Sequence, residues 1–322
     1  MKILEFNVFE PFFATLDRSQ RYLLGFSGGS DSMFLFLLLK HFNINFIAAH
    51  VDHGWRKTSY EEALFLKEFS EKERVPFSLY QVEKSLIASN NSEDKARQIR
   101  LRFFQDVCEI ENLSGVFLAH HLDDQIETVL KRCLEGASLW NLKGLLKHKK
   151  IGNLTILRPL LIIHKQDILD FLKKFNICYI KDETNFDLKY LRARFRLKII
   201  PTLNEFFGKS FGNSLVRLSQ SSCELLEFLE EESKEFFNYV VDSDKEVSID
   251  FSKKYPKSKF LWKFVIRKFF NFQCIKISQS AVETILHHCC KRSKNCFLRI
   301  DRYLVLMDRG KLILYKKPRS QD

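Results

Sequence analysis

Short apolar runs alternate with helix-length stretches through the first 134 residues, and this alternation constrains the fold more than any other feature of the chain. "RYLLGFS", "NINFIAAHVDHG", "PFSLYQVE" and "GVFLAHH" have the length and apolar density of buried strands. Helical patterning follows each of them, over Asp31–His41, Tyr60–Arg74, Ser92–Cys108 and Asp123–Leu134. Strands joined by helices of this length pair in parallel through crossovers. The expected fold class is therefore α/β, with a doubly wound, mainly parallel sheet. In such a sheet a ligand lies beyond the carboxyl ends of the strands, where the strand order reverses.

Further on, "TILRPLLIIHKQDILDFLKKFNICYI" reads as a strand, a helix and another short strand. "KYLRARFRLKIIPTLNEFFG" reads as a basic helix interrupted at Pro201. After Gly212 the texture changes. A long amphipathic helix over Asn213–Val240 carries the acidic run "ELLEFLEEESKE", expected to be a solvated face. Helices near Ser258–Phe270 and Ser278–Lys291 follow, and the alternating tail around "DRG" predicts a β-hairpin. The expected organisation is one domain over 1–208 and a smaller, mostly helical domain over 209–322 that ends in the hairpin.

The 322 residues include 52 Lys and Arg against 40 Asp and Glu, a formal +12 that favours a polyanionic partner such as nucleic acid. Eight cysteines occur without a C-x-x-C pair, the pattern of reduced thiols rather than of a disulfide framework. The longest apolar run, Met33–Leu39, is far too short to span a membrane, and the start lacks the apolar stretch of a signal peptide. A cytoplasmic protein is expected.

"SGGSDS" at 27–32 sits where the first strand turns into a helix. It is neither a G-x-x-x-x-G-K-[ST] loop, since no lysine follows, nor a G-x-G-x-x-G fingerprint. Gly28 and Gly29 let the backbone approach an oxyanion, while Ser27, Ser30 and Ser32 add hydroxyl donors to the helix N-terminus. Asp31 would repel a bare phosphate but suits one that arrives with Mg²⁺. A capped helix after a glycine turn would also account for the stretch.

"AHHLDDQIET" at 119–128 falls on the same edge of the predicted sheet. Asp124, Glu127 and Thr128 share one helix face, and Asp123 caps that helix. Acids facing a phosphate loop are costly unless a cation joins them. His120 and His121 read as orienting or core groups, and a zinc site would lack a fourth partner. Asp52, His53 and Arg56 follow the second strand; Asp52 suits either a structural or a ribose-side role.

Taken in order, "SGGSDS", "HVDHGWR", "EDKARQIRLRFF" and "AHHLDDQIET" resemble the PP-loop ATP pyrophosphatases. "RPL" at 158–160 and "DETNFDLKYLRARFRLKIIPTL" at 182–203 extend the resemblance to the tRNA(Ile)-lysidine synthetase family within them. That resemblance implies ATP bound across Ser27–Ser32, with Mg²⁺ held by Asp31 and Asp124. It implies attack of the wobble cytidine of a CAU-bearing tRNA(Ile) on the α-phosphorus, then displacement of AMP by free L-lysine to leave lysidine. Arg97 and Arg196 would serve the phosphate charge, whereas Arg100, Arg192, Asp123 and Glu127 would meet substrate. Leu101 and Ala193 stand where the family has Tyr and Asn. A homodimer is compatible with the sequence, which by itself sets no oligomeric state.

Two rival readings have sequence tests. A 2-thiocytidine synthetase would bring paired cysteines, and a non-catalytic RNA-binding protein would not need to keep the acids and the glycine loop intact. The basic stretches "LKGLLKHKK" at 142–150 and "KKYPKSKFLWKFVIRK" at 253–268 are candidate RNA surfaces, the second with interleaved aromatics, and 209–322 is the expected tRNA-binding domain, as 1–208 is the expected ATP-binding catalytic one. An amphipathic helix with core aromatics and snorkelling lysines accounts better for those aromatics themselves. "HHCCKRSKNC" at 287–296 reads as a helix with spare thiols rather than as a metal site.

Overall fold

The computed structural model describes residues 5–52, 54, 58–82, 92–181, 188–189, 191–208 and 210–316, without the side chains of 92–94. His53, Arg56 and the "DETNFD" motif at 182–187 lie outside the described residues. The chain divides into two compact units, 1–220 and 221–322.

In the first unit, a short helix α1 (Glu10–Phe13) precedes strand β1 (Arg21–Gly25) and helix α2 (Ser30–His41). Then come β2 (Asn45–Asp52), α3 (Ser59–Lys72), β3 (Phe77–Gln81), α4 (Ser92–Ile110), β4 (Val116–Phe117) and α5 (Leu122–Leu134). A hairpin of β5 (His148–Ile151) and β6 (Leu154–Leu157) leads to α6 (Lys165–Lys174), α7 (Leu191–Arg194) and α8 (Ile200–Phe207). The sheet order is β3-β2-β1-β4-β6-β5, parallel throughout except for β5, which pairs antiparallel with β6. Strand order reverses at β1, so β1 and β4 flank the switch point.

Alternate residues of β1 feed opposite layers, as strand geometry requires. Leu24 and Phe26 join α2, Leu66 of α3 and Ile168 of α6 in one core. Leu23 joins Ile47, Val116 and Ile156 against Phe104 of α4 on the other face. Helix α2 is buried on nearly all sides, which its "MFLFLLL" run requires. Phe34 packs edge-on against both Phe6 and Phe171.

Two local expectations are revised. No strand forms over Ile177–Ile180; that segment runs extended, and the Ile180 N–H donates to the Gly28 carbonyl at 2.9 Å. Pro201 does not interrupt its helix, because a π-helical turn over Phe195–Ile199 joins α7 to α8 and puts the proline in the first turn of α8. The wide turn relieves the clash that proline makes with the carbonyl one turn earlier. The stretch 142–150 ends in β5, an exposed edge strand whose lysines blunt the open edge.

Helix α9 (Phe211–Phe237) begins in the first unit, and the division falls within it. The expected domain boundary, 208/209, lies just before this helix. In the second unit, β7 (Val240–Asp242), β8 (Glu246–Asp250), α10 (Lys259–Phe272), α11 (Gln279–Cys290), β9 (Cys296–Ile300), β10 (Tyr303–Asp308) and β11 (Lys311–Tyr315) follow. Ser258 and Ser278 cap α10 and α11 through their hydroxyls. The expected hairpin is β10–β11; it turns at Arg309 and Gly310, both at positive φ. It belongs to a larger antiparallel sheet of order β7-β8-β11-β10-β9.

Candidate active site

The loop between β1 and α2 is shaped by its glycines. Gly28 has φ +77°, and a Cβ there would lie 2.5 Å from Ile180 Cδ1 and 2.8 Å from Leu66 Cδ2. Gly29 precedes the first turn of α2; Ser32 Oγ donates to its carbonyl at 3.1 Å and lies 3.2 Å from Ser27 Oγ. The N–H groups of the first turn of α2 and these hydroxyls make the anion-binding end of the helix.

Across the switch point, α5 begins with Leu122, and its acids converge on the loop. The His121 ring is buried among three carboxylates. Its Nε2 lies 3.5 Å from Asp124 and 3.9 Å from Asp31, and its Nδ1 lies 3.4 Å from Asp123. These distances make ion pairs rather than good hydrogen bonds. Burial pushes the imidazole toward neutrality, but the three acids outweigh it and raise its pKa above the usual histidine range. A raised histidine pKa stabilises the fold fully below about pH 6.5 and loses that contribution as pH rises through the folded value. The stability gap between the wild type and His121→Gln should therefore shrink from pH 6 to pH 9 in urea titrations. A gap that widens with pH would refute a charged His121.

Asp124 accepts the His121 N–H at 3.0 Å through one oxygen and faces Arg196 Nη2 at 3.4 Å through the other. Arg196 Nε also donates to Glu127 Oε1 at 2.9 Å, while Glu127 Oε2 is buried with no hydrogen-bond partner. Burial raises the Glu127 pKa against the pull of Arg196. Burial opposes ionisation of Asp124, but the His121 ring, the His121 N–H and Arg196 hold it below the usual carboxylate range. Asp123 is lowered as well: burial opposes ionisation, but His121, the Lys165 N–H and His164 prevail. Its Oδ2 accepts the Lys165 N–H at 2.7 Å, and its Oδ1 lies 3.2 Å from His164 Nδ1.

A basic group lines the same region. Arg158 is fully buried, with Nε donating to His120 Nδ1 at 3.1 Å and Nη1 to the Leu146 carbonyl at 2.9 Å. Burial and the charge of Arg97 lower its pKa to about 10. Burial first, then the charges of Arg158, Arg100 and Arg192, keep His120 neutral against the pull of Asp124. Lys149 of β5 is lowered by burial and by Arg158, Arg97, Arg132 and Lys143. The structure thus gathers Ser27–Ser32, Asp31, Asp123, Asp124, Glu127 and Arg196, with Arg97, Arg100 and Arg192 close enough to act on Arg158 or His120.

Arg158, His164 and Lys165 were not singled out from the sequence as site residues. Only "RPL" marked Arg158, and nothing local marks Lys165, whose Nζ reaches Ser30 Oγ at 2.6 Å and Asp31 Oδ1 at 2.5 Å. Asp52 accepts the Gly54 N–H at 2.7 Å and so shapes the turn after β2. In "EDKARQIRLRFF", Phe104 is core and Phe103 stacks on Tyr80, so both pack. Leu101 packs on the same core and Ala193 is buried.

No group of three or more His, Cys, Asp and Glu side chains is arranged to hold a metal among the described residues. Asp31 and Asp124 both face His121 Nε2 and are the two carboxylates that could hold a cation here. In the second unit, Cys289 is buried in the core and His288 lies 3.2 Å from Ser293 Oγ. The basic stretch 253–268 proves largely self-neutralised: Lys254, Lys257 and Lys268 pair with Glu235, Glu232 and Glu230 of α9, and Lys263 with Glu283. The acidic run is thus a partner for these lysines as well as a solvated face. Trp262 and Phe264 are buried, as the amphipathic reading of that helix expects.

A glycine-serine loop after β1, facing an acid-bearing helix after β4 across the switch point, defines a PP-loop protein. Residues 4–203 match the PP-loop domain family. The U34-tRNA thiolase NcsA from Methanococcus maripaludis, solved with its [4Fe-4S] cluster, has a TM-score of 0.56 over 69% of this chain and 77% of its own, at 22% identity, which shows a shared fold. The tRNA(Ile)-lysidine synthase of Chlamydia muridarum is 39% identical over 305 residues, 94% of this chain and 95% of the relative. That of Chlamydia pneumoniae is 40% identical over 303 residues, again 94% and 95%. The chain belongs to the tRNA(Ile)-lysidine synthase family and is an ATP-using ligase.

Proposed function

We propose that this chain converts the wobble cytidine of a CAU-bearing tRNA(Ile) to lysidine, releasing pyrophosphate and then AMP, on the one site described above. The observation that carries this reading is the convergence of Asp31 and Asp124, from opposite sides of the switch point, on His121. The loop N–H groups and Ser27, Ser30 and Ser32 cradle the phosphates of ATP. Asp31 and Asp124 are the residues to hold Mg²⁺, which when bound offsets triphosphate charge. Arg97, which acts on Arg158, and Arg100 and Arg192, which act on His120, are the cations available to phosphate and substrate.

Free L-lysine is the proposed nucleophile. The unpartnered Oε2 of Glu127, with Asp124 beside it, is an acceptor for a lysine ammonium. The raised pKa of Glu127 suits it to take the proton that the amine must lose before attack. No cysteine stands among the site residues, so nothing there supports sulfur transfer. Incubation with CAU-bearing tRNA(Ile), ATP and labelled lysine, followed by nucleoside mass analysis, tests the assignment. A product without lysine, or a thiolated base, overturns it. The cytoplasm is the proposed location, and no described helix is long and apolar enough to cross a membrane.

The tRNA phosphates fall to the basic group around Lys149, Arg97 and Arg132, where like charges gather and Glu135 acts on Arg132 alone among the three. Lys254 and Lys257, just ahead of α10, already hold glutamates. Charge reversal of Arg97 and Lys149 together should weaken tRNA binding and reduce the salt slope by about two. Reversal of Lys254 and Lys257 should change the slope by less than about one. Filter binding across a salt series reads both, and the opposite ranking would move the RNA to the second unit.

A further inference from the structure

The PP-loop carries no lysine of its own, yet an ammonium stands in it. Lys165, the first residue of α6, extends its side chain to Ser30 and Asp31 in the first turn of α2. For stability alone this is an odd place for a cation. The N-terminus of α2 is the positive end of a helix, and Lys165 also sits at the positive end of α6. Asp123 and Asp167 accept backbone N–H groups at the start of α6, and among the described residues Asp31 is the acid that pairs with the Lys165 ammonium itself. The ammonium therefore stands within hydrogen-bond reach of the first turn of α2, where an anion bound by that turn would lie.

We infer that Lys165 is the phosphate-binding lysine of this site, supplied from α6 to the ATP cradle and parked on Asp31 until nucleotide arrives. The inference rests on the reading that Ser27–Ser32 holds the phosphates of ATP. A lysine is a point charge on a flexible stem, so a small rotation carries its Nζ from Asp31 to a phosphate oxygen beside Ser30. That move also frees Asp31 for Mg²⁺.

Asp123 is the positioning residue for this lysine. Both of its oxygens are engaged by the start of α6, through the Lys165 N–H at 2.7 Å and His164 Nδ1 at 3.2 Å. The Leu122 N–H adds a third bond to the Ile163 carbonyl at 2.9 Å. The first turn of α5 therefore fixes the point from which the Lys165 side chain reaches the loop. Asp123 then acts through Lys165 and does not touch substrate.

The full-length protein tests this with Lys165→Met, Lys165→Arg, Asp123→Ala and the double variant Asp123→Ala/Lys165→Met. Calorimetry measures ATP–Mg²⁺ affinity, pyrophosphate release with tRNA(Ile) measures adenylation, and thermal melting checks the fold. Lys165→Met should weaken ATP binding about tenfold and slow pyrophosphate release about a hundredfold, with the KM for lysine unchanged. Lys165→Arg should restore most of the ATP affinity, since the charge is kept. Asp123→Ala should reproduce part of the defect, and the double variant should be no worse than Lys165→Met, because both changes act through one group. If Lys165→Met does not fold, Lys165→Gln keeps a bond to Ser30 without the charge and is read in the same way. Wild-type ATP affinity and pyrophosphate release in a folded, uncharged variant overturn the inference, as do losses that multiply in the double variant. Failure of the wild type to bind ATP–Mg²⁺ overturns the PP-loop reading beneath it, and this inference with it.

Discussion

Asp31→Asn and Asp124→Asn should each retain the fold and lose adenylation, with pyrophosphate release falling by about a thousandfold or more. Each amide keeps the size of the acid and removes the charge that would hold Mg²⁺ against the triphosphate. Asp31 is part-exposed and on the loop, so its replacement should shift the melting temperature little. Asp124 is more enclosed and accepts the N-terminal His121 N–H, so its loss should cost about 1–2 kcal/mol of stability as well. Pyrophosphate release and thermal melting, measured on the same preparations, separate the two effects. Wild-type turnover in either variant would remove that residue from the metal site.

Arg196→Met should damage the second chemical step more than the first. Arg196 is the only described basic side chain paired with Glu127, and Glu127 is almost fully buried. Breaking such a pair strands a buried carboxylate and costs about 3–5 kcal/mol where both partners are enclosed. Arg196 is about one-third exposed, so the lower end of that range, about 3 kcal/mol, is expected. The penalty applies to ionised Glu127 and should grow as pH rises through the raised pKa of that group. Without the guanidinium Glu127 will hold its proton, and the KM for lysine should rise by about ten- to a hundredfold while pyrophosphate release falls less. Arg196→Lys should recover little, because one ammonium cannot reproduce the two-pronged contact to Glu127 and Asp124. Equal losses in both steps would make Arg196 a scaffold residue rather than part of the lysine pocket.

Much of the first unit was legible in the chain because its signals are local. Strand length, the period of the helices and the glycines of "SGGSDS" each reflect the conformational preference of a few neighbouring residues, and β1, α2, β2, α3, β3, α4 and α5 all form where those signals stand. The tail hairpin was legible for the same reason, since Arg309 and Gly310 satisfy the two positive-φ positions of a tight turn. The rest of its sheet was not. Val240–Asp242 is three residues long and Glu246–Asp250 five, too short for a periodicity to rise above noise, and they are strands because β11 offers β8 a hydrogen-bonding edge and β8 offers one to β7. The π-turn that admits Pro201 was hidden as well, because a proline inside a helical pattern reads as a break unless the widened turn is seen.

By itself the sequence determined the fold class, the loop that receives an anion and the acid-bearing helix that answers it, because backbone propensity and side-chain period act over a turn or a strand at a time. Only the tertiary structure decided which charges meet. Lys165 reaches Asp31 from 134 positions away, and Arg196 reaches Glu127 from 69. Lys254, Lys257 and Lys268, which looked like part of an open basic surface, are held by glutamates of α9. A charge takes its meaning from its distance to other charges and from the water removed around it. Both quantities exist only after distant segments have packed.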